Sequence, residues 1–180
     1  MAARVCIRIY AYIYQTLGCV PAIKGYFKAM RYVCDKHGAL FILDEIMCGI
    51  GRTGTLHAWE QEGVVPDIQV VGKGLGAGIV PIAAMLCNRR VVDVLRNGSG
   101  SFTHGYTYQN HPVVCAAGLE VLKIIHNEKL LSNVRQLGPL LGSLLYESLK
   151  HHPNVGDIRG RGFFWGVGSL KTYLSFGLRC

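Results

Sequence analysis

Apolar residues recur along this chain at two spacings, one typical of helices and one of short buried strands. Residues 22–37 carry apolar positions three and four residues apart and end before Gly38, which predicts a helix. The apolar run at 39–44 predicts a buried strand, as do the shorter runs at Ile68–Val71 and 80–86. A helix, a turn and a strand in this order form half of a βαβ unit, so the pattern predicts an α/β fold.

Helical spacing dominates the second half of the chain. A short helix is predicted at 89–96, and Pro112 stands at a favourable first position for a helix that runs to about residue 125. Another helix is predicted from about residue 128 to residue 151, and residues 155–167 favour strand and turn. The whole order predicts a mixed or parallel sheet covered by helices, in which ligands bind beyond the carboxyl ends of the strands.

The first 17 residues have a different character. Apolar residues alternate from Val5 to Ile13, which favours a strand, and the longest unbroken apolar stretch is too short to span a bilayer. The arginines and the absence of acidic residues before Asp35 weakly resemble a mitochondrial presequence, although serines are absent. We expect a cytoplasmic protein, with a mitochondrial location as the alternative.

Composition excludes several classes of protein. With 180 residues, of which 50% are hydrophobic and 17% charged, the chain can bury a core and is not a disordered sequence. The net charge of +8 raises nucleic acid, anionic membranes and phosphorylated ligands as partners. Its longest basic cluster is only Arg89-Arg90, without a basic stripe interleaved with aromatic residues. We therefore expect no nucleic acid and no membrane as partner, and a basic module that binds acidic partners is the least favoured alternative.

Cysteine and histidine positions do not indicate a metal site. The seven cysteines are spread along the chain and form no CxxC pair, which predicts reduced, mostly buried thiols in an intracellular protein. His57, His104 and His111 are not at a spacing typical of metal ligands. We expect no metal.

Two residues suggest a specific chemistry. Asp44 closes a strand-like run and Lys73 follows another, and each stands where such a run meets a glycine-containing loop. A lone amine and a lone carboxylate at strand ends suit a cofactor bound as an imine, in which the amine forms the Schiff base and the acid keeps a ring nitrogen protonated. Pyridoxal phosphate is among the few cofactors that need both groups. The alternatives are a surface lysine in a glycine loop and an aspartate that caps the next element.

The glycines around Lys73 do not fit the common nucleotide-binding motifs. Their spacing within 72–78 is G-x-G-x-G-x-G, whereas a dinucleotide loop needs G-x-G-x-x-G before a helix. A phosphate loop of the Walker type needs serine or threonine after its lysine, and here Gly74 follows. Both interpretations are weak.

The surrounding residues carry a resemblance. Residues 43–78 read LDEIMCGIGRTGTLHAWEQEGVVPDIQVVGKGLGAG, and this stretch strongly resembles the signature of class III, ornithine- and GABA-type, pyridoxal-phosphate aminotransferases. The resemblance continues through 104–112 and 155–162, and it covers roughly 18–168. It implies an incomplete large domain of the fold type I pyridoxal-phosphate transferases, with a mostly parallel sheet and flanking helices, followed by the start of a small C-terminal α/β domain.

Site residues follow from the resemblance position by position. Lys73 matches the lysine that forms the Schiff base and then moves a proton as general base and acid. Asp44 matches the aspartate that pairs with the pyridine nitrogen, an ion pair that gains ~4 kcal/mol at about 4 Å and an effective dielectric constant near 20. Ile46 matches the branched residue that packs on one face of the ring. Thr107 matches the hydroxyl that reaches the cofactor phosphate of the neighbouring subunit, which implies a homodimer.

Other matched residues are interpreted as structural, or depart from the family. We expect Glu45, Arg52 and Arg159 to be structural rather than to contact substrate. Met47 stands where many members have a glutamine, which removes a hydrogen bond to the cofactor hydroxyl. Relative to the family we expect a chain truncated at both ends. It lacks the turn that cups the phosphate, the aromatic residue that stacks on the ring, and the arginine that binds the substrate carboxylate.

The expected domains are an atypical N-terminal segment at 1–17, a partial cofactor-binding domain at 18–129, and a linking helix with a partial C-terminal domain at 130–180. The expected function is transfer of an amino group from an amino donor to a 2-oxo acid or aldehyde. The alternative is an inactive remnant of such an enzyme, or a fragment that binds a partner.

Overall fold

A computed structural model describes residues 6–10, 13–14 and 18–170 of the chain. It contains eight strands and four α-helices within these residues. The strands are β1 (Cys6–Tyr10), β2 (Ile13–Tyr14), β3 (Val20–Pro21), β4 (Leu40–Asp44), β5 (Ile68–Val71), β6 (Ala84–Cys87), β7 (Val155–Arg161) and β8 (Phe164–Ser169). The helices are α1 (Tyr26–His37), α2 (Arg89–Asn97), α3 (Pro112–Asn127) and α4 (Leu130–Leu149). The predicted alternation of helices and strands is confirmed.

A mixed four-stranded sheet organises the fold, in the order β1-β4-β5-β6. The strands β1, β4 and β5 run parallel, and β6 pairs with β5 in the antiparallel direction. Two separate hairpin-like pairs, β2 with β3 and β7 with β8, complete the strands. The strand predicted near the N-terminus is present as β1, while Val5 and residues 11–12 lie outside the described residues.

The core lies between α1 and the centre of the sheet. Phe41 and Leu43 of β4 are almost fully buried, and α1 packs Phe27 and Cys34 against them. This helix ends at Gly38, which adopts the left-handed conformation and donates its N–H to the carbonyl of Cys34. Burial of apolar side chains along one helix face and one strand therefore stabilises the part of the chain that carries Asp44.

The predicted start of α1 at residue 22 is wrong by four residues, since the helix begins at Tyr26. Gly25 precedes it with a φ of 86°, a left-handed conformation that turns the chain before the helix starts. Ile23, whose spacing fitted the helical pattern, lies in this turn and is 78% exposed. The apolar spacing was present, but the glycine sets the boundary.

The strand predicted at 80–86 is shorter than expected. Only Ala84–Cys87 pairs with β5, and Pro81, which has no N–H to donate, lies in the irregular segment before it. Asn88 then begins α2 by accepting a hydrogen bond from the main-chain N–H of Val91 through its side chain.

The two long helices α3 and α4 are separate, as predicted, because Lys129 between them is in the left-handed conformation with a φ of 53°. Helix α4 packs on the β7–β8 hairpin through glycines: a Cβ added at Gly138 would lie 2.7 Å from Gly162, and one added at Gly142 would lie 2.2 Å from the Trp165 ring. None of the leucines of α4 is fully buried, although they form its apolar face. Within the described residues, no helix is both long and apolar enough to cross a membrane.

Candidate functional site

Asp44 and Lys73 lie at the same edge of the sheet. Asp44 is the last residue of β4 and stands opposite Val70 of the parallel strand β5, and Lys73 follows the end of β5. The main-chain N–H of Glu45 donates to the carbonyl of Val70 at 2.8 Å, which extends the pairing beyond the strand. The prediction that both residues stand at carboxyl ends of neighbouring strands is confirmed, while their chemical roles stay predictions.

Lys73 is exposed and its backbone is strained. Its φ of 38° is in the left-handed region, which costs a non-glycine residue on the order of 1 kcal/mol. It begins a short 3-10 helix, Lys73–Gly76, in which Leu75 donates to the carbonyl of Gly72 at 2.9 Å. Within the described part of the chain, the Lys73 amine makes no hydrogen bond or ion pair. The strained backbone of Lys73 is therefore not offset by a contact of its amine within the described residues.

Asp44 is buried beside this amine-bearing loop. Its side chain is 5% exposed, and its Oδ1 accepts a hydrogen bond from the main-chain N–H of Ile46 at 3.1 Å. Ile46 is half-buried, and its Cγ2 would lie 3.5 Å from a Cβ added at Gly72, the residue before Lys73. Asp44, Ile46 and the start of the Lys73 loop are thus gathered in one place, as the sequence predicts.

Glu45 points its carboxylate at main-chain and side-chain donors. The side chain is fully buried, with Oε1 accepting from the N–H of Trp59 at 2.8 Å. Its Oε2 accepts from the N–H of Ala58 at 2.9 Å and from the Gln69 amide at 2.8 Å. Burial raises the pKa of Glu45 to about 7, although these three donors lower it. These contacts support the structural interpretation of Glu45.

Gln69 is a polar centre that the sequence analysis did not single out. It lies on β5 opposite Leu43, and its Nε2 also donates to Nδ1 of His57 at 2.9 Å. Its Oε1 accepts from the Trp59 indole at 3.2 Å, and the rings of His57 and Trp59 stack with centroids 5.6 Å apart. Burial lowers the pKa of His57, which favours the neutral ring that can accept this bond. A glutamine inside an apolar strand was the available signal.

A third buried carboxylate stands at the opposite edge of the sheet. Asp67 precedes β5 and is 3% exposed; its Oδ2 accepts from the N–H of Phe41 at 2.9 Å and from Arg31 at 2.8 Å. Its Oδ1 accepts from the Asn88 amide at 2.8 Å. Burial opposes ionisation of Asp67, but these hydrogen bonds and the Arg31 charge together hold its pKa below the usual value.

The remaining candidate cofactor ligand, Thr107, is not brought to the Asp44–Lys73 edge by any contact of the structure. It lies in an exposed turn before α3, and within the described residues its hydroxyl makes no hydrogen bond. The resemblance assigns it to the phosphate of a neighbouring subunit, so its role stays a prediction.

Arg52 and Arg159 take part in contacts that brace the loop after Asp44. The Arg52 carbonyl accepts from the N–H of Phe163 at 3.0 Å, while the Arg52 side chain is exposed. Arg159 donates to the carbonyl of Gly18 at 2.7 Å and also pairs with Asp157. These contacts connect the β7–β8 hairpin to that loop and to the segment before β3, which supports structural roles for both arginines.

Five cysteines are free thiols with different degrees of burial. Cys34 and Cys48 are buried, Cys19 and Cys87 are half-buried, and Cys115 is exposed. Burial raises the pKa of Cys48 well above its usual range. No group of three histidine, cysteine or acidic residues suited to a metal occurs in the part of the chain that the structure describes.

A cavity of about 360 Å³ lies away from this edge, between α4 and the β7–β8 hairpin. It is lined mainly by Tyr146, Glu147, Ile158 and Trp165, and it contains none of the predicted site residues. The predicted site is instead an open surface at the sheet edge, consistent with the exposure of Lys73.

Comparison with known proteins gives a consistent result. The family model described as aminotransferase class III matches residues 9–173. An aminotransferase of Gibberella zeae is 64% identical over 152 residues, which cover 84% of this chain and 30% of that protein. An uncharacterized aminotransferase of Schizosaccharomyces pombe is 46% identical over 169 residues, covering 91% of this chain and 37% of the relative.

Solved structures agree with the sequence matches. The taurine:2-oxoglutarate aminotransferase of Bifidobacterium kashiwanohense, solved in complex with PLP and glutamate, aligns with a TM-score of 0.86 at 30% identity. The alignment covers 92% of this chain and 36% of that structure. The chain therefore has the α/β fold of the fold type I aminotransferases, as predicted, and spans about a third of the length of the relatives it matches.

Proposed function

We propose that this chain, which belongs to the class III aminotransferase family, carries the lysine-bearing half of a transaminase site. The reaction is transfer of an amino group from an amino donor to a 2-oxo acid or aldehyde. The observation that carries the proposal is the placement of Lys73 and Asp44 at the carboxyl ends of neighbouring parallel strands. Because the chain spans about a third of its relatives, the activity is proposed for the protein of which this site is part.

The residues at this edge fit pyridoxal 5'-phosphate as cofactor. An amine without a protein partner suits a covalent link, a buried carboxylate suits a protonated ring nitrogen, and Ile46 offers an apolar surface next to both. The bound cofactor supplies an electron sink for the substrate α-carbon. The residues named here account for the amine and ring contacts, and Thr107 is proposed for the phosphate of a neighbouring subunit in a homodimer.

Each side chain has a defined task. Lys73 would hold the cofactor through Nζ, and its amine would serve as the general base and acid for a proton at the substrate α-carbon. Asp44 keeps the proton on the ring nitrogen, a contact that gains ~4 kcal/mol at about 4 Å and an effective dielectric constant near 20. Ile46 packs on one face of the ring and orients it.

Two further assignments are proposals of the same kind. A division near residue 129, between a cofactor-binding part and a linking helix with the start of a C-terminal domain, is supported by the left-handed Lys129 between α3 and α4. A cytoplasmic location, with a mitochondrial one as the alternative, rests on the sequence alone.

A transaminase assay of the purified protein of which this chain is part tests the proposal. With added pyridoxal phosphate and a panel of amino donors and 2-oxo acids, we expect amino transfer that Lys73→Ala abolishes. Lys24→Ala, at an exposed lysine in the turn before α1, is the matched control and should keep the wild-type rate. Equal rates in wild type and Lys73→Ala would overturn the role of Lys73. Cofactor binding without any transfer would identify the chain as an inactive remnant.

A further inference from the structure

Glu45 lies directly beside the proposed ring-nitrogen aspartate, and its side chain connects three separate parts of the chain. Its carboxylate accepts from the N–H groups of Ala58 and Trp59, which begin the short 3-10 helix Ala58–Glu62. It also accepts from Gln69 in the middle of β5. One carboxylate thus joins the end of β4, the neighbouring strand, and the far end of the loop that follows Asp44.

The main chain of Glu45 is bound as closely as its side chain. Its N–H donates to the carbonyl of Val70 at 2.8 Å, and its carbonyl accepts from the N–H of Gly49 at 3.0 Å. A Cβ added at Gly49 would lie 2.8 Å from the Glu45 carbonyl oxygen and 3.2 Å from its Oε2. The turn after β4 therefore wraps around Glu45 with no room for another side chain.

We propose that Glu45 is the positioning residue for Asp44, because it anchors the turn that sets the direction of the Asp44 carboxylate. Asp44 is bonded to that turn through the N–H of Ile46 at 3.1 Å. Gln69, which donates to Glu45, lies on β5, and Lys73 follows the end of β5. Glu45 therefore also fixes the Asp44 carboxylate relative to the strand that precedes Lys73. The inference deepens the proposed function and rests on it, since a defined direction of Asp44 matters for a bound ring.

A simpler role must be distinguished from this one. Glu45 could serve only as a cap that satisfies the first N–H groups of the 3-10 helix, in which case its loss would destabilise the helix without moving Asp44. Gln61 on the same helix offers a matched control: its amide donates to the carbonyl of Thr53 at 3.1 Å and to the hydroxyl of Thr55 at 2.9 Å. The amide also donates to the Thr53 hydroxyl at 3.2 Å, and that hydroxyl donates to the Cys48 carbonyl at 3.4 Å, so Gln61 reaches the turn after Asp44 only through Thr53.

The test compares Glu45→Gln with Gln61→Ala by two measurements. The first is the exchange rate of the Ile46 amide hydrogen relative to that of Phe41, a core amide bonded to Asp67 at 2.9 Å, so that a general loss of stability cancels. The second is the affinity of the purified chain for pyridoxal phosphate. In Glu45→Gln we expect the exchange rate of the Ile46 amide to rise relative to that of the Phe41 amide. The affinity for pyridoxal phosphate should fall at least about tenfold. Gln61→Ala should change neither.

A second variant keeps the test decisive if Glu45→Gln does not fold. Gln69→Met is close to the same size and removes the bond between β5 and Glu45, together with the Gln69 contacts to His57 and Trp59, while the two main-chain bonds of Glu45 stay. Both measurements should therefore move in the same direction by a smaller factor. An Ile46-to-Phe41 ratio that stays at the wild-type value in every foldable Glu45 and Gln69 variant would overturn the positioning role.

The two proposals fail separately. A wild-type chain that binds no pyridoxal phosphate contradicts the proposed function of this chain, and the amide exchange ratio still decides whether Glu45 orients Asp44. Conversely, an unchanged ratio together with cofactor bound at Lys73 removes the positioning role and leaves the proposed function intact.

Discussion

The two ends of the β4–β5 pair both contain buried carboxylates, but these carboxylates have different hydrogen-bond partners. At the amino end of β5, Asp67 contacts the Arg31 guanidinium, the Asn88 amide and the N–H of Phe41. At the carboxyl end of β4, Glu45 accepts hydrogen bonds from neutral donors, namely two main-chain N–H groups and the Gln69 amide. The charge of Asp67 is thus balanced by a guanidinium within the chain, whereas Glu45 accepts from neutral hydrogen-bond donors.

The pKa values of the two carboxyl groups express this difference. Despite burial, hydrogen bonds and the Arg31 charge hold the pKa of Asp67 below its usual value, whereas burial raises that of Glu45 to about 7. Next to Glu45 stand a second buried acid, Asp44, and a strained, exposed lysine. The amino end of β5 carries an ion-paired carboxylate, and the carboxyl end carries a carboxylate of raised pKa beside a strained lysine.

The largest effect is expected at the amino end. Asp67→Ala leaves the Phe41 N–H without its acceptor and removes the buried partner of Arg31, which keeps only its ion pair with the exposed Asp35. The free energy of unfolding should therefore fall by about 4 kcal/mol. Denaturant unfolding of the purified variant measures this loss. Asp93→Ala on α2 is the control, because Asp93 only pairs with exposed arginines, and it should change stability by less than about 0.5 kcal/mol. Equal losses in the two variants would remove the distinction between Asp67 and a surface acid.

Glu45 is expected to have a smaller effect on the free energy of unfolding. Its contribution changes with pH in the opposite direction to that of Asp67. The folded chain keeps the Glu45 proton to about pH 7, whereas the unfolded chain releases it near pH 4.5. Its stabilising contribution is therefore complete below pH 4.5 and is lost as the pH rises through about 7, a change of about 3 kcal/mol. Asp67 acts in the opposite sense, since its contribution is lost as the pH falls below its usual pKa of 3.8.

Denaturant unfolding of wild type and Glu45→Gln between pH 4.5 and 7.5 isolates this contribution, because glutamine does not titrate in this range. The difference in unfolding free energy between the two proteins should change by about 3 kcal/mol over this pH range. The His57 titration occurs in both proteins and largely cancels in the difference. A difference that stays constant over this range would show that Glu45 has an ordinary pKa.

The sequence predicted the elements whose boundaries are set locally. The bounds of β5 match the apolar run Ile68–Val71, and α3 begins at Pro112 because proline suits a first helical position. The meeting of Asp44 with the Lys73 loop was also predictable, since parallel strands bring their carboxyl ends to one edge.

The rest depended on contacts between distant parts of the chain. Gln69 acquires its contacts only when β5 pairs with β4 and the 3-10 helix folds over both. Its place inside an apolar strand is visible in the sequence, but its partners are not. The start of α1 was missed because a left-handed Gly25 overrides apolar spacing that would continue the helix. Lys73 could be named from its motif, but its strained backbone is a property of the folded loop.

The most direct test of the proposed role of Lys73 is covalent labelling of the lysine that follows β5. Pyridoxal phosphate is added to the purified chain, the adduct is reduced with borohydride, and the labelled peptide is identified by mass spectrometry. We predict one dominant label, on Lys73, that is lost in Lys73→Ala. Labelling of the Lys73→Ala variant to the same extent as the wild type would contradict it.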